Sequence, residues 1–144
     1  MSLLDDKYFV LKNEYKYINF IKDCFVLNDN KCILSFYDNK IFDYDFFIDS
    51  IKNELNKKES YLLLHQLVNN IFINDQYLMI EDIELMEMMS VLFLKYSNLF
   101  AFHFIKYPAV LAWGYDQSFP FICKNSADLS IYKNIAKNQK LFLR

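Results

Sequence analysis

The stretch DIELMEMMSVLFLKYSNLFAFHFIKY, Asp82 to Tyr107, carries two different periodicities in 26 residues. From Asp82 to Lys95, Ile83, Leu85, Met86, Met88, Met89, Leu92, Phe93 and Leu94 leave only a narrow polar stripe through Glu84, Glu87 and Lys95. A helix apolar over most of its circumference belongs in the middle of a fold, covered on several sides. From Leu99 to Tyr107 the chain becomes aromatic and β-branched, as strands are, and His103 alternates there with Ala101 and Ile105. Ala109–Tyr115 and Phe119–Lys124 read the same way, and Gly114-Tyr115-Asp116-Gln117-Ser118 is the best turn between them.

Ahead of this stretch the helical period dominates. Ile18, Ile21, Cys24 and Phe25 stripe a helix over Glu14–Leu27 that Asn13 can cap. Asn28-Asp29-Asn30 is a turn, and Lys31–Tyr37 is a strand. Tyr44, Phe47, Ile48, Ile51 and Leu55 predict a helix over Tyr44–Asn56, with Asp43 at its N-cap. Leu63, Leu64, Leu67, Val68 and Ile71 predict another over Ser60–Phe72. Tyr77–Ile80 suits a strand or an irregular connection. After the β-rich part, Ser126 can cap a last helix to Lys137, with Leu129, Tyr132, Ile135 and Ala136 inward, and Leu141–Leu143 reads as a closing strand. No Pro/Gly/Ser-rich linker or repeat is visible. The expectation is one α+β domain over residues 1–144. Its N-terminal two-thirds would be mainly helical, and a small antiparallel sheet would come largely from the C-terminal part.

Composition narrows the function. There are 15 Phe, 11 Tyr and 1 Trp, but a single glycine, Gly114, and a single arginine, Arg144. Phosphate-cradling loops use glycine so that backbone N–H groups can approach the ligand, and bidentate anion recognition uses arginine. Lysine replaces arginine almost everywhere, the codon bias of an AT-rich genome. The net charge of −2 argues against a generic nucleic-acid binder. No basic region followed by an apolar run opens the chain, and no apolar run approaches a membrane span, so a cytoplasmic protein is expected. Cys24, Cys32 and Cys123 match no zinc spacing and no disulfide framework, and reduced, buried thiols are the expectation.

The residues that carry chemistry are few. His65 sits at the polar edge of its helix, and His103 suits a hydrogen-bonded sheet position. They form no metal motif, and no cofactor or catalytic residue is expected. The carboxylates cluster at two helix starts: Asp43, Asp45 and Asp49 open one, and Glu81, Asp82, Glu84 and Glu87 open the other. Acids in a first turn stabilise the helix dipole, form an acidic surface for a partner, or hold a divalent metal. Residues 38–87 hold 11 acids against 4 lysines, whereas residues 88–144 hold 2 acids against 7 bases. Trp113 and Tyr115, near the turn, serve either as core packing or as an aromatic anchor for a partner.

In size, composition and lack of a catalytic motif the chain resembles bacterial immunity proteins, the partners of contact-dependent inhibition and related polymorphic toxins. The resemblance implies a cytoplasmic α+β protein that binds a toxin's C-terminal domain and blocks its active site or a neighbouring surface. Many nuclease toxins are basic, so the acidic helix starts would be the natural contact. A second reading is a viral or bacterial adaptor that receives a partner in an apolar groove. A third is a metal-dependent phosphohydrolase, which would lack a general base and a phosphate loop.

Overall fold

The computed structural model describes residues 3–37, 57–58, 72–74, 77–95, 100–114 and 119–141. The elements are α1 (Leu3–Leu27), β1 (Cys32–Phe36), β2 (Phe72–Asn74), β3 (Tyr77–Ile80), α2 (Ile83–Lys95), β4 (Phe100–Phe104), β5 (Ala109–Leu111), β6 (Phe121–Cys123) and α3 (Ser126–Asn138). The fold is α+β. Among the described residues, six strands join one antiparallel sheet in the order β2-β3-β1-β4-β5-β6.

Register explains why this sheet has one apolar face. Leu78, Leu34, Phe102, Leu111 and Phe121 are successive cross-strand neighbours from β3 to β6. Side chains alternate along each strand, so Cys32, Phe36, Ile80, Phe100, Phe104 and Ala109 share that face. They join Phe20, Ile21, Cys24 and Phe25 of α1, six α2 side chains including Met86 and Phe93, and Tyr132 and Ala136 of α3 in one core. Phe93 is its aromatic hub, with ring centroids 4.9 Å from Phe102, 5.2 Å from Phe119 and 6.0 Å from Phe100. The expected stripe of α1 and inward set of α3 are met, with Ile18, Leu129 and Ile135 half-buried.

A polar staple closes one end of this core. The Asn28 side-chain amide donates to the Cys24 carbonyl at 2.8 Å and to the Tyr132 hydroxyl at 3.0 Å. Its Oδ1 accepts from the Tyr107 amide at 2.9 Å, and the Tyr132 hydroxyl donates to the Tyr107 carbonyl at 2.6 Å. The end of α1, the β4–β5 turn and α3 are thereby tied together where water is excluded. Burial pushes the Tyr132 phenol well above its ordinary range, so it stays a neutral donor.

Helix ends show how a glycine-poor chain terminates helices. After α1, Asn30 N–H reaches the Phe25 carbonyl and Asp29 N–H the Val26 carbonyl, with Asp29 at φ 60°. After α3, Leu141 N–H reaches the Ala136 carbonyl and Lys140 N–H the Lys137 carbonyl, with Lys140 at φ 58°. Both are Schellman closures, which ordinarily place glycine in the left-handed position. Aspartate tolerates that position through its short polar side chain, whereas lysine has no such compensation.

Several expectations are corrected. Asn13 does not cap α1, which starts at Leu3, because no glycine or proline interrupts residues 3–13. The sheet is not largely C-terminal, since β1, β2 and β3 all precede Glu81. Phe72 belongs to β2 and not to a helix end, and strands of three or four residues are too short to declare a period of two. A helix also closes the described chain. Its N-cap is Asn125 and not Ser126, and Leu141 is outside any strand because its amide completes the α3 terminus. The helices expected over 44–56 and 60–71, and the closing residues 142–144, lie outside the described residues. Among the described residues, no helix is long and apolar enough to cross a membrane.

Candidate functional site

The start of α2 is built by its cap. Asp82 Oδ1 accepts from the Glu84 amide at 2.8 Å and the Leu85 amide at 3.0 Å, satisfying two N–H groups that lack helical partners. That carboxylate therefore serves the fold. Glu87, one turn on, faces α1 and pairs with Lys22 at 3.1 Å, a half-exposed bridge between the two helices. Glu81 and Glu84 differ: both are exposed, and neither carboxylate has a hydrogen bond or ion pair among the described residues. Between them Ile83 is 39% exposed, although α2 is otherwise the most enclosed helix. Its predicted place on the buried circumference fails because it occupies the first helical position, where the chain enters from β3 at the surface.

Of the other residues singled out by sequence, Asp43, Asp45, Asp49, His65 and Tyr115 lie outside the described residues. Trp113 is half-buried and packs against the core beyond the end of β5. His103 lies on the sheet face opposite the core, with Nε2 2.7 Å from Ser35 Oγ, and burial lowers its pKa. A serine bonded to a neutral imidazole is half of a nucleophile–base arrangement. Among the described residues nothing bonds Nδ1 to orient the ring. The thiols of Cys24 and Cys32 are buried, Cys123 is half-buried, and none is in a disulfide. Burial first, and then nearby Asp23 and Asp128 for Cys24 and Cys123 respectively, raises the pKa of each thiol, which disfavours the reactive thiolate. Among the described residues no three His, Cys, Asp or Glu side chains converge as metal ligands.

One feature was not legible in the sequence. A cavity of about 780 Å³ lies between α1, α2, α3 and the β5–β6 pair. Phe20, Phe93, Phe119 and Phe121 line it, together with Leu129 and Leu141. Pro120, Ile122, Asn125 and Ser126, all exposed, also line it and mark where it reaches the surface. Tyr17 stands in its wall, edge-on to Phe119 at 5.0 Å, with its phenol pKa raised by burial. These residues come from five separate elements, and no local pattern announces their convergence. Compared with protein-family models, curated proteins and solved structures, the chain matches none of them.

Proposed function

We propose that this protein is a non-catalytic binding module of the toxin-immunity kind, which recognises a basic protein domain through the start of α2. The observation that carries this reading is Ile83, exposed between Glu81 and Glu84, whose carboxylates have no hydrogen-bond or ion-pair partner among the described residues. An apolar residue inside a charged rim is the anatomy of a protein interface. Acidic rims steer basic partners and raise association rates. The −7 charge balance of residues 38–87 in the sequence has the sign that favours a basic partner. The sequence also offers Asp43, Asp45 and Asp49, which lie outside the described residues, as acidic contacts for the same partner, and Trp113 with Tyr115 as a second-choice anchor.

The test begins with co-purification from the native host and identification of the bound protein. The reading expects a basic domain that is toxic when expressed alone and harmless when co-expressed with this chain. It also expects the purified protein to hydrolyse no nucleic acid, nucleotide or peptide. A harmless partner, or turnover that follows the protein through purification and disappears with Glu84→Ala, would refute it.

A further inference from the structure

We infer that the cavity between the three helices and the β5–β6 pair is a binding site for a neutral, apolar small molecule carrying a ring system or a short hydrocarbon chain. Its volume of about 780 Å³ falls within the range of small-molecule sites, far above the voids of a packed core. Its half-buried aromatic walls, Tyr17, Phe119 and Phe121, supply the surface on which an apolar ligand is held, and the buried Phe20 and Phe93 lie behind them. None of the described residues lining it carries a formal charge. A charged ligand would shed its hydration there without a counter-charge, which selects for neutrality. The polar side chains of Asn125 and Ser126 stand where the cavity opens, so one hydrogen-bonding group on the ligand belongs at that end. This site lies apart from Glu81, Ile83 and Glu84, none of which lines it, so it stands independently of the proposed partner surface.

The test uses two fluorescent probes that share a ring framework, neutral N-phenyl-1-naphthylamine and its sulfonated analogue 1-anilinonaphthalene-8-sulfonate. The full-length protein should bind the neutral probe saturably with one-to-one stoichiometry, and the sulfonated one at least about tenfold more weakly. Leu129→Trp, which fills the cavity from a half-buried position, should weaken the neutral probe by about tenfold or more. Cys123, the half-buried thiol in the wall, gives a readout on the unmodified chain. Saturating neutral probe should slow its labelling by a thiol reagent several-fold, even if Leu129→Trp fails to fold. No saturable binding, equal affinity for the two probes, or unchanged Cys123 labelling at saturation would each overturn the inference. So would full binding by a folded Leu129→Trp.

Discussion

The end of α1 and the start of α2 are both polar, and they are wired in opposite ways. At the end of α1, Asn28 is 2% exposed and each polar group of its side chain has a partner in the fold. Asp29, beside it, pairs with Lys106 at 2.9 Å. At the start of α2, only Asp82 and Glu87 are engaged in this way, while Glu81 and Glu84 surround an exposed isoleucine. A polar residue with internal partners is accounted for by stability. One that has none, next to exposed apolar surface, points outward. The acidic cluster at α2 is thus two populations, of which the second is the candidate contact.

The sharpest way to break this comparison is at Asn28. Asn28→Ala leaves the half-buried Tyr107 amide and the buried Tyr132 hydroxyl short of a partner, which should cost roughly 2–4 kcal/mol in urea denaturation. A loss below about 0.5 kcal/mol, the scale of a plain surface change, would contradict the staple. Asp82→Ala removes the cap of α2 and should cost about 1 kcal/mol by the same assay, since two amides then turn to water. If Asp82→Ala proved neutral for stability, that carboxylate would belong with Glu81 and Glu84.

Lys140 offers a gain in place of a loss. It holds φ 58° at a helix terminus where glycine is free of steric penalty. Lys140→Gly should raise stability by about 0.5–1 kcal/mol, seen as a higher melting temperature. A lower melting temperature would show that the lysine side chain contributes more than the backbone strain costs.

The smallest stability effect expected concerns pH. Burial lowers the pKa of His103 from its ordinary value of 6.5, so the folded state binds its proton less readily than the unfolded state. The stability tied to the neutral ring is fully present above pH 6.5 and is lost as pH falls from there through the folded pKa. His103→Gln should flatten the decline in stability between about pH 6.5 and 5, before carboxylates titrate. An unchanged slope would place the source of that decline elsewhere.

Much of the architecture was legible because it rests on local pattern. The continuous apolar surface from Leu85 to Phe93 announced an enclosed helix, and the aromatic, β-branched run from Leu99 to Tyr107 announced a strand. Asn28-Asp29-Asn30 was readable as a turn because Asx residues tolerate the left-handed backbone found at Asp29 and Asn30. What was not legible depends on distant partners. Short β2 has too few residues to show a period, and its place in the sheet comes only from pairing with β3. The division of the acidic cluster also needed geometry. Asp82 and Glu84 look alike in sequence, and only the amides of Glu84 and Leu85 and the position of Lys22 show which carboxylates are occupied. The cavity is the extreme case, assembled from residues as far apart as Tyr17 and Leu141.

Association kinetics test most directly whether Glu81, Ile83 and Glu84 form a contact for a basic protein. Glu81→Lys combined with Glu84→Lys should cost no more than about 1–2 kcal/mol, the charge reversal at the α2 N-terminus, and leave the protein folded, since neither side chain has a hydrogen-bond or ion-pair partner among the described residues. Measured against the co-purified partner at low salt, the folded double variant should associate at least about tenfold more slowly, and the difference should shrink as salt is raised. An association rate and affinity equal to those of the unmodified protein at both salt concentrations would contradict that contact.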